Sequence, residues 1–180
     1  FSPNDPDDAD EGPNRGQNYP SIVNYGVDGN GHLIVTYYLD TGTAYANYDP
    51  NGIRIEFFKS DSQNQGAAFV GADYYTAADH DSFALQRKEQ RQRRSLLAGT
   101  KSVDLGDAAL LGFNPGDLLT STATDADGNT SEFSPAMAPT AAGVSISGIP
   151  TDHDGRPAKN AVVSVTSSSG VVRSALTNPF

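Results

Sequence analysis

Residues 118–134 read LLTSTATDADGNTSEFS, and this stretch decides the predicted fold. In its first half Leu119, Ser121 and Ala123 point one way, and the threonines between them point the other way. That period of two predicts a β-strand with one covered face. Residues 125–129 then predict a tight turn, because Gly and Asn tolerate positive φ and Asp and Asn side chains bond their own backbone. We therefore expect the closing strand and acidic loop of a β-sandwich.

Composition narrows the classes of function. The 180 residues include 22 acidic and 12 basic side chains, for a net charge of −10. This balance argues against nucleic acid as a partner and suits an exposed, cation-binding protein. No apolar run approaches the ~20 residues that a membrane-spanning helix needs, so we expect no membrane span. No basic-then-apolar leader starts the sequence, so we expect that it was removed or that the chain is an internal piece.

Cysteine is absent from the sequence. A disulfide framework, a thiolate nucleophile and a thiolate zinc site are therefore excluded. In a secreted protein something else must hold the loops in place, and Ca²⁺ bound by carboxylates is the usual alternative.

Residues 1–20 form an acidic, proline-rich segment in which a regular helix is not expected. Carboxylates and an amide in this segment, together with the oxygens of the turn after residue 124, form the predicted Ca²⁺ ligand set. Its members are Asp5, Asp7, Asp8, Asp10, Asn14, Asp125, Asp127, Asn129 and Glu132. Dense hard oxygens are what Ca²⁺ requires, although neither cluster fits the EF-hand pattern. The alternative is a solvated, disordered acidic arm.

Strand patterns follow one another along the first 135 residues. They fall at residues 21–25, 32–40, 43–48, 53–59, 69–76, 82–85 and 118–124. Seven short strands are typical of an immunoglobulin-like sandwich. In residues 32–40 the alternation places Leu33, Val35, Tyr37 and Leu39 on one face and His32, Ile34, Thr36 and Tyr38 on the other. In residues 53–59 it points Ile53, Ile55 and Phe57 inward.

Residues 86–97 carry a basic run, with five of the twelve basic residues between Arg87 and Arg94. One interpretation is a patch for an anionic partner such as polysaccharide, lipid head group or DNA, with Arg87 and Arg91 in contact. Another is a surface hairpin or short helix whose charge the acidic remainder balances. A third is contact with an acidic surface on a neighbouring subunit.

The composition of residues 136–143 indicates a linker, and residues 144–180 begin a second β pattern. Three strands are predicted there, at residues 144–148, 161–166 and 171–177. Three strands cannot enclose a core by themselves. We therefore expect either that the chain continued and was cut, or that these strands dock on another copy of the chain, on the first domain or on an adjacent domain of a larger protein. The side chains expected to make that contact are Val163, Val165 and Val171.

Two of the three histidines lie in Asp-His-Asp tripeptides, at residues 79–81 and 152–154. Either could belong to a transition-metal site, but a turn with a solvated imidazole is the favoured interpretation. The nucleophile-elbow, zincin, P-loop and dinucleotide-binding patterns are all missing from the sequence, and we expect no enzyme activity.

Three segments carry a family resemblance: NDPDDADEGPNRGQNYP (residues 4–20), IRIEFFKS (53–60) and TATDADGNTSEFS (122–134). Together they resemble a module of large secreted bacterial surface proteins, which often also carry right-handed β-helix repeats or bacterial Ig-like domains. The basic run departs from that pattern. Residues 144–180 resemble the opening of a carboxypeptidase regulatory-like domain, a prealbumin-like β-sandwich, and stop before its later strands. The resemblance implies an extracellular, structural or adhesive role and carries over no catalytic residue.

We therefore expect an all-β protein with an immunoglobulin-like antiparallel β-sandwich and a partial second β-sandwich. Its predicted parts are an acidic calcium-binding-like segment (1–20), the first sandwich (21–135), a linker (136–143) and the partial domain (144–180). Three functions remain open. They are a calcium-stabilised adhesive module of a larger cell-surface protein, a filament subunit assembled by β-strand addition between neighbours, and a carbohydrate-binding accessory module.

Overall fold

The fold is taken from a computed structural model of the chain. The structure describes residues 3–9, 12–48, 50–90, 100–114, 116–139, 151–154, 156, 162–166 and 172–176. The chain divides into two units, Phe1–Ala142 and Gly143–Phe180. Strands dominate the described part of both units, which confirms the predicted all-β class.

Strands and one long helix alternate with short turns along the described chain. Two short 3-10 turns, Pro6–Asp8 and Pro13–Gly16, precede the strands. The strands are β1 (Ser21–Val27), β2 (His32–Tyr38), β3 (Ile53–Ser60), β4 (Gly66–Tyr75), β5 (Lys101–Asp107), β6 (Leu119–Thr124), β7 (Val162–Thr166) and β8 (Val172–Leu176). Helix α1 (Ala77–Gln90) lies between β4 and β5.

Two three-stranded antiparallel sheets build the first unit. Their strand orders are β1–β2–β5 and β4–β3–β6. The inner faces meet in one core, where the Tyr37 ring of β2 packs edge-on against Phe57 of β3 at a centroid distance of 5.3 Å. Tyr75 at the end of β4 lies 5.9 Å from Tyr37. The first unit is therefore a β-sandwich-like fold.

The alternation predicted for β2 and β3 is found. The side chains that share one predicted face of residues 32–40 are completely buried, and so are the three expected to point inward from β3: Leu33, Val35, Tyr37, Leu39, Ile53, Ile55 and Phe57. Full burial of a large apolar side chain stabilises a fold by about 1.5–3 kcal/mol. These residues therefore supply much of the stability of the first unit.

Strand β6 is covered on both faces, whereas the sequence predicted one covered face. Leu119 and Thr120 are both fully buried, although they point in opposite directions. The return segment, residues 130–137, runs back along the edge of β6. In it, the Ser134 carbonyl accepts a hydrogen bond from the Thr120 hydroxyl at 2.7 Å. Met137, within the predicted linker, forms two backbone hydrogen bonds with Leu119. The return segment therefore satisfies the polar groups on the second face.

The predicted strand at residues 43–48 is wrong. The amides of Tyr45 and Ala46 both donate to the Gly42 carbonyl, at 2.9 and 3.3 Å, so the chain turns there. The sequence analysis also missed β5, which pairs with β2. Its sequence, KSVDLGD, contains only two strongly apolar residues, so its alternation is weak. The first unit has six described strands, and the immunoglobulin-like count of seven is not reproduced.

The predicted turn at residues 78–81 and strand at 82–85 are also wrong, because both lie in α1. Thr76 starts the helix through a reciprocal cap. Its hydroxyl accepts the Asp79 amide at 3.2 Å, and Asp79 accepts the Thr76 amide at 2.8 Å. Such a pair satisfies amides that the first helical turn leaves without partners. Phe83 then stacks on Tyr38 of β2 at 4.7 Å, which docks the helix on the sheet.

The second unit contains the antiparallel pair β7–β8 among its described residues. The strands predicted at residues 161–166 and 171–177 are found there, and the one at 144–148 lies outside the described residues. Val162 is 64% exposed. The Ser164 and Ser174 hydroxyls hydrogen-bond across the pair at 2.7 Å.

Candidate metal sites

The acidic end of the first unit, defined as residues 3–20, 40–48 and 125–132, contains most of the predicted Ca²⁺ ligands. Asp8 accepts the backbone amide of Asn18 at 2.9 Å. The Asn18 side-chain amide donates to the carbonyls of Asp5 and Asp40, at 2.8 and 2.6 Å. Asp8 and Asn18 are buried. The described part of the N-terminal segment is therefore fastened to the end of β2, and the interpretation as a solvated arm does not hold for it.

The turn after β6 forms as predicted. One Asp125 oxygen accepts the backbone amides of Asp127 and Asn129, at 3.0 and 2.8 Å. The other accepts the Asn129 side-chain amide at 2.9 Å. Gly128 has a φ of 86°, which glycine adopts at little cost. Asp125 is only 4% exposed, so its carboxylate is an internal brace of the loop.

Asn47 connects this turn to the chain that follows β2. Its carbonyl accepts the Ala126 amide at 3.0 Å, and its side-chain amide donates to Asp127 at 2.9 Å. Arg15 lies 3.6 Å from Asp127, but both side chains are largely exposed. Exposed ion pairs contribute little to stability. The hydrogen bonds of Asn47 are therefore the stronger link.

A cavity of about 310 Å³ opens between the N-terminal segment and the return segment. Two predicted ligands from distant parts of the sequence line it, Asn14 and Glu132. Asn4, Thr130 and Ser131 add further oxygen atoms to its wall. Carboxylate, amide and backbone carbonyl oxygens are the ligand types that Ca²⁺ takes.

The remaining predicted ligands do not converge on one point. Asp10 lies outside the described residues. One oxygen of Asp5 accepts the Ala9 amide at 2.9 Å, and its other oxygen is buried without a hydrogen-bond partner among the described residues. Asp7 is exposed and belongs to a different grouping.

That grouping brings together Asp7, Asp40 and His80, whose ligand atoms all lie within 4.8 Å of one another. The sequence does not predict Asp40 as a metal ligand, and it does not indicate that His80 lies near Asp7. The three residues are distant in sequence, and no spacing marks them. His80 was interpreted as a solvated turn residue, which is wrong, because it is buried in the first turn of α1. The matching His153 has a side chain that is 89% exposed, as the turn interpretation requires.

Two groups of ion pairs in the first unit involve residues of β5. Lys101 of β5 contacts Asp73 and Asp79 at 3.1 and 3.2 Å. Burial would raise the pKa of Asp79, but hydrogen bonds from Thr76 and the charge of Lys101 leave that pKa below its usual value. His32 contacts Asp104 at 2.8 Å, and this hydrogen bond raises the pKa of His32 and lowers that of Asp104.

The predicted partner-binding residues are only partly described. Arg87 lies within α1. Arg91 and Val171 lie outside the described residues. Val163 and Val165 belong to β7 and pair with Ala175 and Arg173 of β8.

No family of known proteins, no curated protein and no solved structure matches the chain. The resemblance drawn from the sequence therefore stays a prediction. Among the described residues, no helix combines the length and apolar character needed to cross a membrane.

Proposed function

We propose that the chain is a structural and adhesive β-sandwich module of a larger extracellular surface protein. The observation that carries the proposal is the construction of the acidic end. Asp8 and Asp125 are buried there, and both accept backbone amides of segments that connect to the sheets. This fastening holds loops in place without disulfides, which suits a cysteine-free protein in an exposed setting. The proposed work is mechanical and adhesive.

Ca²⁺ is the proposed stabilising ion, and the cavity lined by Asn14 and Glu132 is its proposed place. A cation there would tie the N-terminal segment to the segment that returns along β6. The net charge of −10 favours cation uptake, because the field of the whole protein attracts positive ions.

Calcium titration followed by thermal melting tests this part of the proposal. One site that binds only the folded state gains about 2.7 kcal/mol at a hundredfold excess over Kd. Glu132→Gln should remove most of that gain, whereas Asp81→Asn, at a side chain that is 76% exposed, should not. A melting temperature that responds to neither Ca²⁺ nor chelation would remove calcium from the proposal.

The second candidate function is a filament subunit in which β7 and β8 add to the sheet of a neighbouring copy. The observation that favours it is the two-stranded β7–β8 pair with its exposed Val162. A two-stranded pair by itself is marginal in water, and an added strand from a neighbouring copy would supply further backbone partners. Val163, Val165 and Val171 are the proposed contacts, and Arg87 and Arg91 would face an acidic neighbour.

Size-exclusion chromatography and electron microscopy of the full chain separate the two candidates. Filaments or a ladder of oligomers would favour strand addition. A monodisperse monomer over a wide concentration range would favour the adhesive module and count against the filament.

A further inference from the structure

Three separate parts of the first unit meet at one point of the acidic end. Asp7 comes from the 3-10 turn Pro6–Asp8, Asp40 follows β2, and His80 lies in the first turn of α1. One ligand atom from each residue lies within 4.8 Å of the other two. The backbone there is fixed independently, because the Gly42 amide donates to the Asp7 carbonyl at 2.8 Å. This cluster is separate from the cavity that Asn14 and Glu132 line.

His80 supplies a second, independent observation. The residue is only 8% exposed, and both ring nitrogens are buried without a hydrogen-bond partner among the described residues. An oxygen of Asp81 lies 3.7 Å from Nδ1, beyond hydrogen-bonding distance. Buried polar side chains nearly always have a partner, so an imidazole in this state indicates a missing ligand.

We propose that His80, Asp7 and Asp40 bind a divalent transition-metal ion of the zinc class. Zn²⁺ accepts imidazole nitrogen together with carboxylate oxygen, in a tetrahedral arrangement. Ca²⁺ and Mg²⁺ take oxygen ligands, so a buried imidazole discriminates against both of them. Three protein ligands leave the fourth position for water.

The geometry requires only a small closure. With metal–ligand bonds of about 2.1 Å, tetrahedral ligand atoms stand about 3.4 Å apart. Asp7 is exposed, so its side chain can rotate inward while its backbone stays bonded to Gly42. The exposure of Asp7 also gives the ion a path from solvent. His80 is held in place by its position in α1. The backbone at Asp40 is held by a hydrogen bond from the Asn18 side chain to the Asp40 carbonyl.

A bound ion would connect the N-terminal segment, the end of β2 and the start of α1. It would act on structure, by fastening the helix to the acidic end at a place where hydrogen bonds leave His80 unsatisfied. This inference goes beyond the proposed function and does not depend on Ca²⁺, because it uses a different ligand set.

The test is thermal melting of the full chain with Zn²⁺, in buffer that holds Ca²⁺ at a constant saturating level. At a hundredfold excess of Zn²⁺ over Kd the melting temperature should rise by about 5–10 °C. Chelation should reverse the rise. Co²⁺ in place of Zn²⁺ should give visible absorption bands of a four-coordinate site, and Zn²⁺ should displace them.

Variants assign the effect to the cluster. His80→Gln should abolish both the melting shift and the Co²⁺ bands, and the matched control His153→Gln should keep both, since it alters the other Asp-His-Asp tripeptide. If His80→Gln does not fold, Asp7→Asn decides the matter, because its side chain is exposed. An unchanged melting temperature with Zn²⁺, or a shift that survives in both cluster variants, overturns the inference and leaves the calcium result untouched.

Discussion

The two central strands and the acidic end hold the first unit together by different means. In β2, and in β3 as far as Phe57, every second side chain is apolar and completely buried. These side chains stabilise the fold by being removed from water, which requires no specific hydrogen bonds. At the acidic end, Asp8 and Asp125 are almost as deeply buried, yet their side chains are polar. A buried carboxyl group is tolerated where N–H groups donate to it, as the Asn18 amide does to Asp8 and three N–H groups do to Asp125.

The difference shows what each kind of contact demands. Apolar burial is non-directional, so replacing a core side chain with another apolar side chain of similar volume lowers the free energy of unfolding only moderately. Carboxylate–amide bonds are directional, and removal of the carboxylate leaves backbone amides buried without partners. The core therefore determines that the sheets pack, and the acidic end determines how the connecting loops close.

The largest expected effect comes from breaking the core. Phe57→Ala should lower the free energy of unfolding by about 3–5 kcal/mol, because it leaves a cavity beside Tyr37. Phe69→Ala is the matched control, since Phe69 is 55% exposed and leaves no comparable cavity. Urea denaturation measures both variants. Equal losses in the two would contradict the described core.

A smaller effect should come from the acidic end. Asp125→Ala should lower the free energy of unfolding by about 1–3 kcal/mol, because the amides of Asp127 and Asn129 lose their shared acceptor. Asp127→Ala should cost about 0.5 kcal/mol or less, because its carboxylate is exposed. Denaturation in the presence of a chelator separates this brace from any contribution of metal. A reversed order of the two variants would contradict the account.

The smallest effect concerns an exposed pair that belongs to neither region. Folding raises the pKa of His32 through its pairing with Asp104. The stabilisation from this pair is therefore fully present below the unfolded histidine pKa of about 6.5. That stabilisation is lost as the pH rises through the pKa of His32 in the folded state. The lowered pKa of Asp104 adds stability above about pH 3.9, which is lost as pH falls through the folded value.

The melting temperature should therefore fall slightly between about pH 6 and pH 8 in the native chain. His32→Gln should flatten that slope, and His153→Gln should not. If the slope is the same in all three proteins, the pair at 2.8 Å has no measurable role in solution.

The core could be predicted because its signal is local. The alternation in residues 32–39 grouped the buried side chains on one face, and that in residues 53–57 pointed the buried side chains inward, since a strand points successive side chains to opposite faces. The turn at Asp125 was equally accessible, because its hydrogen bonds join residues four apart or less. The second covered face of β6 could not be predicted from the local sequence, because the residue that covers Thr120 is Ser134, which tertiary structure brings back along the strand.

The failures lie where local sequence is ambiguous. Residues 82–85 read SFAL, a run too short to separate helix from strand, and the Thr76–Asp79 cap decided the outcome. The Asp-His-Asp tripeptides show the same limit. One is an exposed turn and the other lies in α1 beside Asp7 and Asp40, and only tertiary structure distinguishes them. The sequence therefore marks His80 as a possible transition-metal ligand but carries no signal that Asp7 and Asp40 lie beside it.

Amide hydrogen exchange, followed residue by residue with NMR, tests the central claim that buried carboxylates close the end of the sandwich. We expect the amides of Asn18 and Asn129 to be protected in the native chain without added metal. In Asp125→Ala the Asn129 amide should exchange much faster, while that of Val35 in the core keeps its protection. Exchange of Asn18 and Asn129 at the rate of an unfolded peptide in the native chain would contradict that claim.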